Sequence, residues 1–279
     1  IRRPQATPTT ASNVFALTTR SSGNTVKLGF VPDFWIGGNR GGTGGTASQF
    51  VMDRPRGDFY LGTSSTAAEI GTNDPFSGAT TNTFKNNSTG GTRIEWLWRR
   101  ARGYFDIVAF TGNGGGSRNI THNLGSAPGM LWLKRRDGSS PYGHWYVQHT
   151  GIAATNYLKL NENSSETGSP DSWDSTYASA DVFRVGPDNN VNTYEYIVYL
   201  FGSLSGISKI GSYTGSSSGV VTVDCGFTSG ARFVLIKRSD SGGSGDWYVY
   251  DSLRGINSSA DDPYLLLDTD DAEVTNTNN

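Results

Sequence analysis

Cysteine is all but missing from this chain. The 279 residues hold one, Cys225, which excludes an intrachain disulfide framework and a cysteine-based zinc site. Charge is sparse as well. Asp, Glu, Lys and Arg make up 17 % of the residues with a balance of −2, so no bulk attraction toward nucleic acid or an anionic membrane is expected. The longest apolar run, Tyr194–Phe201, falls far short of the roughly 20 residues that cross a bilayer, and membrane insertion is not expected. The opening Ile1-Arg2-Arg3-Pro4 carries neither a Met nor an apolar signal core, as a processed chain or an internal fragment would. No window of a dozen residues sustains an apolar stripe at helical spacing, which argues against long amphipathic helices.

Turn formers and aromatics take the place of what is missing. There are 37 Gly, 13 Phe, 13 Tyr and 7 Trp, a mixture that suits an all-β protein with many turns. The chain also repeats itself. Leu28-Gly29 followed by Pro32-Asp33-Phe34-Trp35-Ile36 returns as Leu124-Gly125 followed by Pro128-Gly129-Met130-Leu131-Trp132. A looser third copy runs from Cys225-Gly226 to Phe233-Val234-Leu235-Ile236-Lys237. Each copy continues into an aromatic or β-branched pulse: Phe50-Val51-Met52, Trp145-Tyr146-Val147 and Trp247-Tyr248-Val249. A Tyr-Leu pair then precedes a glutamate, with Tyr60 and Glu69, Tyr157 and Glu166, and Tyr264 and Glu273 each nine residues apart. The step is 96 residues from Leu28 to Leu124 and 101 from Leu124 to Cys225, too long for a solenoid rung and about the size of an autonomous domain.

The fold expected is therefore all-β, a tandem array of β-sandwich-like domains of about 100 residues each. The repeat divides the chain into an N-terminal arm over 1–13, repeat domains over 14–102 and 103–204, and a third domain over 205–279. Copies one and two carry aromatic tails, Phe84 to Trp98 and Phe183 to Phe201, after their glutamates. Copy three has no such tail, so it lacks its closing strands and the chain reads as part of a longer polypeptide. An exposed sheet edge follows, and with it a homo-oligomer. Tyr194–Phe201 and Phe233–Ile236 are the expected interface. Val220-Val221-Thr222-Val223 reads as a strand, and the glycine runs at Gly112–Gly116 and Gly215–Gly219 read as hairpin loops. Trp35 and Trp132 are expected at equivalent buried positions. Glu69, Glu166 and Glu273 are expected to share one bonding role, each with a close partner such as an Arg.

Few motifs carry chemistry. Gly215-Ser216-Ser217-Ser218-Gly219 has the spacing of a hydrolase elbow but precedes a β run instead of the helix that chemistry needs. His144 and His149 are at odd spacing on one strand and point to opposite faces; with His122 they read as surface residues. The acidic run Asp268 to Glu273 lacks calcium-loop spacing. Arg99-Arg100, Lys134-Arg135-Arg136 and Lys237-Arg238 read as charges that protect strand ends. No catalytic residue, metal ligand or cofactor emerges, and the protein is not expected to be an enzyme. Trp173, in the polar stretch Ser169-Pro170-Asp171-Ser172-Trp173-Asp174, is the one candidate ligand-binding residue, an exposed aromatic platform for a sugar, set against the favoured reading of a core or subunit-interface residue.

Three segments carry a resemblance: Arg102-Gly103-Tyr104-Phe105-Asp106-Ile107-Val108-Ala109-Phe110-Thr111-Gly112, His122-Asn123-Leu124-Gly125, and Ile210-Gly211-Ser212-Tyr213-Thr214-Gly215. With Gly226 to Arg238 of the third copy, they resemble the tandem-repeat virion structural proteins of marine bacteriophages, found among tail-fibre and tail-associated proteins. The resemblance spans about residues 26–279. It implies a particle component in a tail fibre or appendage, working in host attachment. It also implies contacts with other virion proteins and host-surface glycans, and a trimer as the favoured oligomer. Copy one departs from the pattern at Gly37-Gly38-Asn39-Arg40, where the others carry Lys-Arg or Lys-Arg-Arg. A tail-associated polysaccharide depolymerase and a capsid decoration or vertex protein are the alternatives.

Overall fold

Alternating apolar and polar residues between glycine-rich turns form strands here, and nearly every ordered element is one. The structure, a computed structural model, describes residues 6–20, 25–41, 49–71, 83–85, 93–138, 143–240, 245–256 and 262–275. The first unit contains β1 (Phe15–Arg20), β2 (Thr25–Lys27), β3 (Phe34–Asn39), β4 (Phe50–Asp53), β5 (Phe59–Gly62), β6 (Ile70–Gly71), β7 (Thr83–Lys85) and β8 (Arg93–Trp98). The second contains β9 (Phe105–Thr111), β10 (Arg118–Thr121), β11 (Met130–Arg135), β12 (Trp145–His149), β13 (Asn156–Lys159), β14 (Thr167–Gly168), a one-turn helix α1 (Pro170–Trp173), β15 (Val182–Val185) and β16 (Glu195–Phe201). The third contains β17 (Phe233–Ile236), β18 (Tyr248–Asp251) and β19 (Leu265–Leu266).

The first two units share one antiparallel plan. Their main sheets run β1-β8-β3-β4-β5-β6 and β9-β16-β11-β12-β13-β14, and a two-stranded ribbon, β2 with β7 or β10 with β15, accompanies each. The third sheet is a shorter version, β17-β18-β19. Tyr60 pairs with Ile70, Tyr157 with Thr167 and Tyr264 with Val274, so the Tyr-to-Glu spacing marks the same return turn three times. Register also corrects one expectation. Phe34 faces Asp53 and Met130 faces His149, which makes Trp35 the counterpart of Leu131, and Ile36 that of Trp132. The two tryptophans are buried on equivalent strands but on opposite faces, because a one-residue offset in a strand reverses the side chain.

Each main sheet has two apolar faces, and the outer one is covered locally. Ile120, Phe183 and Val185 of the β10–β15 ribbon, with Trp173, pack on Leu131, Leu133, Val198 and Leu200. The inner faces all meet. Phe34, Ile36 and Trp96 of the first unit, Trp132, Trp145 and Tyr199 of the second, and Trp247, Val249 and Leu265 of the third form a single cluster. The units are thus not independent beads on a string, as a domain-sized repeat suggested. They are wedges around one core.

Repeated polar contacts fix how the wedges meet. Arg136 donates to Glu69 from Nε and Nη2 at 3.0 and 2.8 Å, and Arg40 donates to Glu273 in the same way at 2.7 and 2.7 Å. At the third junction Glu166 N–H donates to Ser239 O at 2.9 Å, and its carboxylate accepts from Asn156. First unit to second, second to third, third to first: the contacts close a ring with a pseudo-threefold arrangement. The expected partner for each glutamate is present. Beneath it, the carboxylate of Asp53 holds buried Arg56 and accepts from Tyr199 of the next unit at 2.6 Å. Asp251 holds Arg254 and accepts from Trp96 at 3.1 Å. Burial works against the Arg56 guanidinium, but Asp53 and Glu69 outweigh it and hold its pKa above the ordinary value.

Lys134, Arg136 and Lys237 of the basic clusters are part of this ring rather than solubilising ends, while Arg238 stays exposed. Lys134 is fully buried, and Arg100 and Arg135 nearly so. The Lys134 ammonium donates to Thr66 O and Ala67 O of the first unit, and to Arg135 O and Gly143 O of its own, at 2.7–3.1 Å. Lys237 repeats this on Asn163 O of the second unit. Burial, then Arg135 and Arg56, push the Lys134 pKa down to about 7; the four carbonyl oxygens are acceptors that suit the ammonium.

Removing one partner of a buried pair strands the other. Arg56→Ala is expected to cost about 3–5 kcal/mol in urea denaturation, whereas Arg238→Ala, at a fully exposed ion pair, should leave the midpoint unchanged. Because the core is shared, tryptophan fluorescence and far-UV circular dichroism should report one coincident transition.

Candidate functional site

The residues singled out from sequence do not converge. Trp173 is 1 % exposed, so the expected sugar platform is corrected to a core residue. Pro170 starts a helical turn whose Ser172 carbonyl accepts from Gly186 N–H and Asn189 Nδ2 at 3.0 Å each. This folds the polar loop back and turns the indole onto the outer face of the second sheet. The signal for a platform was the polarity of the neighbouring side chains, but it is the Ser172 backbone carbonyl that holds the turn.

His122 is buried too, contrary to the surface reading; its Nδ1 accepts from Leu124 N–H and its Nε2 lies 3.2 Å from Ser179 O. His144 contacts Glu162 and Asn161. His149 uses Nδ1 to accept from Gly151 N–H at 2.8 Å. The acidic run is distributed among structural partners: Asp268 accepts from Trp247 N–H, Asp270 from Ser64 and Glu273 from Arg40. Among the described residues no three His, Cys, Asp or Glu side chains are grouped to hold a metal ion. The Gly112–Gly116 run is not a hairpin, since β9 pairs with β16 and β10 with β15. It crosses from sheet to ribbon, pinned by bonds among Asn113, Gly114, Gly116 and Asn190.

What sequence reasoning placed only by omission is the uncovered edge of the third unit. β3 and β11 each lie between two strands and are buried almost throughout, while all four residues of β17 are half-buried. Among the described residues β17 pairs with β18 alone. The stretch from Gly211 to Asp224 is exposed and forms no strand, so the β reading of Val220–Val223 is corrected; Val220 is 97 % exposed. Its β-branched residues lack the neighbour that β15 gives to β10. Nor is Tyr194–Phe201 free to form an interface. From Tyr196 onward it is buried between β11 and β9.

One titratable pair distinguishes the third unit. Asn161 accepts from Trp145 N–H at 2.9 Å, and Asp268 does the same for Trp247. Burial, opposed by the Trp247 N–H, and then the Asp246 carboxylate push the Asp268 pKa up to about 6 from 3.8. A raised carboxyl binds its proton more tightly folded than unfolded, so its contribution to stability is greatest below 3.8 and falls as pH rises through 6. Asp268→Asn, which copies the second unit, should raise stability at pH 7.5 by about 1 kcal/mol, an amount reduced for partial solvent exposure. That gain should vanish as the pH is lowered to 3.8; melting temperatures across the range check it. Trp173→Ala should cost about 3–5 kcal/mol and leave any glycan-array signal of the folded protein unchanged.

No curated protein matches the chain. A family model matches residues 14–279, from the buried Val14 that precedes β1 through all three sheets. The chain belongs to the family described as Domain of unknown function (DUF7483).

Proposed function

We propose that this chain is a structural protein of a bacteriophage particle, a component of a tail fibre or other exterior appendage that acts in host-surface attachment. The observation that carries the reading is mechanical. Three wedges share one core, Arg136–Glu69 and Arg40–Glu273 join them across two junctions, and the buried Asp53–Arg56 and Asp251–Arg254 pairs beneath accept hydrogen bonds from the neighbouring unit. Such a body resists bending and local opening, because exposing the first-to-second or third-to-first junction uncovers a desolvated charge. Rigidity of this kind suits an element that projects or braces. The resemblance of the Arg102 to Gly112 and Ile210 to Gly215 segments to phage appendage proteins supplies the context.

In this reading the protein is not an enzyme and carries no cofactor. Its partners are other virion proteins and copies of itself, a trimer being favoured, and host-surface glycans are the ligand class at the exposed end. Arraying copies about a symmetry axis can raise weak attachment by about 10²–10⁴-fold through effective concentration alone. The expected outcome is that peptides from this chain appear in mass spectra of purified particles. Gold-labelled antibody against it should decorate the tail. Label confined to the capsid would favour a decoration or vertex protein, and absence from purified particles would overturn the proposal.

A further inference from the structure

The pseudo-threefold arrangement lets the three junctions be compared position by position. Glu69, Glu166 and Glu273 are equivalent, and each donates its backbone N–H to the next unit, to Arg136 O, Ser239 O and Arg40 O. Their carboxylates differ. Glu69 is held by two guanidinium nitrogens of Arg136, and Glu273 by two of Arg40. The residue in that place beside Glu166 is Ser239, and among the described residues the Glu166 carboxylate bonds only Asn156 of its own unit. The layer beneath repeats the contrast. Asp53–Arg56 and Asp251–Arg254 are buried ion pairs whose carboxylates accept from Tyr199 and Trp96 across their junctions. In the second unit His149 and Ile152 stand at those positions, and His149 uses Nδ1 on Gly151 N–H. Among the described residues no ion pair crosses the second-to-third junction. Its polar bonds all end on carbonyl oxygens: Trp247 Nε1 on Lys159 O at 2.9 Å, Gly245 N–H on Asn163 O at 3.1 Å, the Lys237 ammonium on the same Asn163 O at 3.2 Å, and Glu166 N–H on Ser239 O at 2.9 Å.

The inner core is common to the three units, so parting any junction exposes apolar surface. Charge is what separates them. Parting the first unit from the second strips Arg136 from Glu69 and Tyr199 from the buried Asp53–Arg56 pair. Parting the third from the first strips Arg40 from Glu273 and Trp96 from Asp251–Arg254. Each leaves a desolvated charge short of a partner, which is costly. Parting the second from the third returns carbonyl oxygens, an indole N–H and the Lys237 ammonium to water, which bonds them nearly as well. Burial disfavours the Lys237 charge and holds its pKa below the ordinary value, so that charge gains solvation on release. The third unit meanwhile keeps its seat on the first through Phe233, packed against Phe15, Trp96 and Trp98, and through Ser64, which donates to Asp270 at 2.6 Å.

We propose that the ring has one opening joint, between the second and third units, and that the third unit swings there while it stays seated on the first. The two charged junctions remain shut while the carbonyl-bonded one parts and recloses, as the least stable set of contacts in a folded protein opens first. The device is the absence of two guanidinium groups, at Ser239 and Ile152, from places where the other junctions have them. It goes beyond the reading of the chain as a particle component and does not depend on it.

Three indole N–H groups report on the three junctions separately. Trp145 Nε1 crosses the first-to-second junction to Gly62 O, Trp247 Nε1 the second-to-third to Lys159 O, and Trp96 Nε1 the third-to-first to Asp251. All three side chains are buried, so their exchange with solvent reads opening. Hydrogen exchange of these signals, followed by nuclear magnetic resonance on the full chain under native conditions, should be faster at Trp247 than at Trp145 and Trp96 by about tenfold or more, the worth of one charge-assisted hydrogen bond. Ser239→Arg, which copies Arg136, should slow Trp247 by about tenfold and leave Trp145 and Trp96 unchanged. Adding Glu166→Gln should remove that slowing, whereas a gain from packing of the longer side chain would survive it. The ratio in the unmodified protein is a test that needs no variant: exchange at Trp247 equal to or slower than that at either other indole would overturn the proposal. A folded Ser239→Arg protein with no slowing at Trp247, or a slowing that persists with Glu166→Gln, would overturn it as well.

Discussion

A carboxylate and a guanidinium buried together, Asp53 with Arg56 and again Asp251 with Arg254, decide how the three sheets can meet. All four side chains are fully buried. Such pairs gain little over apolar packing unless every lone pair and proton is used. Here they are used. Arg56 also donates to Val51 O and to Tyr199, Arg254 donates to Val249 O, and the free guanidinium nitrogens face Glu69 and Glu273 at 3.6 and 3.5 Å. Each set is complete only when the neighbouring unit supplies its aromatic donor. The chemistry therefore selects one rotation of sheet against sheet, which an apolar core alone would leave loosely defined. The second unit shows the alternative, with His149 and Ile152 in place of the acid and base, and Ile152 joins the shared core.

The ring is closed by parts that are similar but not identical. Trp145 and Trp247 each donate an indole N–H across a junction, to Gly62 O and Lys159 O at 2.8 and 2.9 Å. Lys134 and Lys237 cross the same junctions to carbonyl oxygens. At the corresponding places the first unit has Gln49 and Gly38, and there Leu265 of the third unit fills the space a side chain at Gly38 would take. Gln49 keeps a weak link to Asp271 O at 3.5 Å. The first-to-third junction thus trades a desolvated ammonium for apolar contact and concentrates its polar bonding in Arg40 and Glu273. This is the departure already visible in Gly37-Gly38-Asn39-Arg40.

Much of the fold was legible because strands announce themselves through short-range pattern. The Tyr-to-Glu spacing located the same turn three times, and the tryptophan strands are core strands. Closure into a ring was not legible, since it depends on residues 67 and 233 positions apart finding each other. Lysine and arginine beside a strand look like solubilising charge in one dimension; only the folded packing shows that Lys134 reaches a neighbouring unit and that Arg135 lies against Tyr194 and Asp137 of its own. Trp173 misled for the opposite reason. The Ser172 carbonyl bonds Gly186 and Asn189 and the Asp174 carboxylate bonds Ser117 and Arg184, which turns the indole inward. Val220–Val223 has strand propensity and no strand, because β propensity records fit to a neighbour and this segment has none.

The third unit is the part whose stability needs another explanation, since three short strands with a bare edge are marginal by themselves. Its support comes from both sides of the ring. Trp247 and Lys237 bond the second unit. Phe233 packs edge-on against Phe15, Trp96 and Trp98 of the first, and Arg232 donates to Phe15 O. The face of β17 that enters the core is therefore fixed by its neighbours, while among the described residues no strand pairs with its second edge. The locking that stiffens the ring thus also holds β17 in register, and the two features follow from the same set of inter-unit contacts.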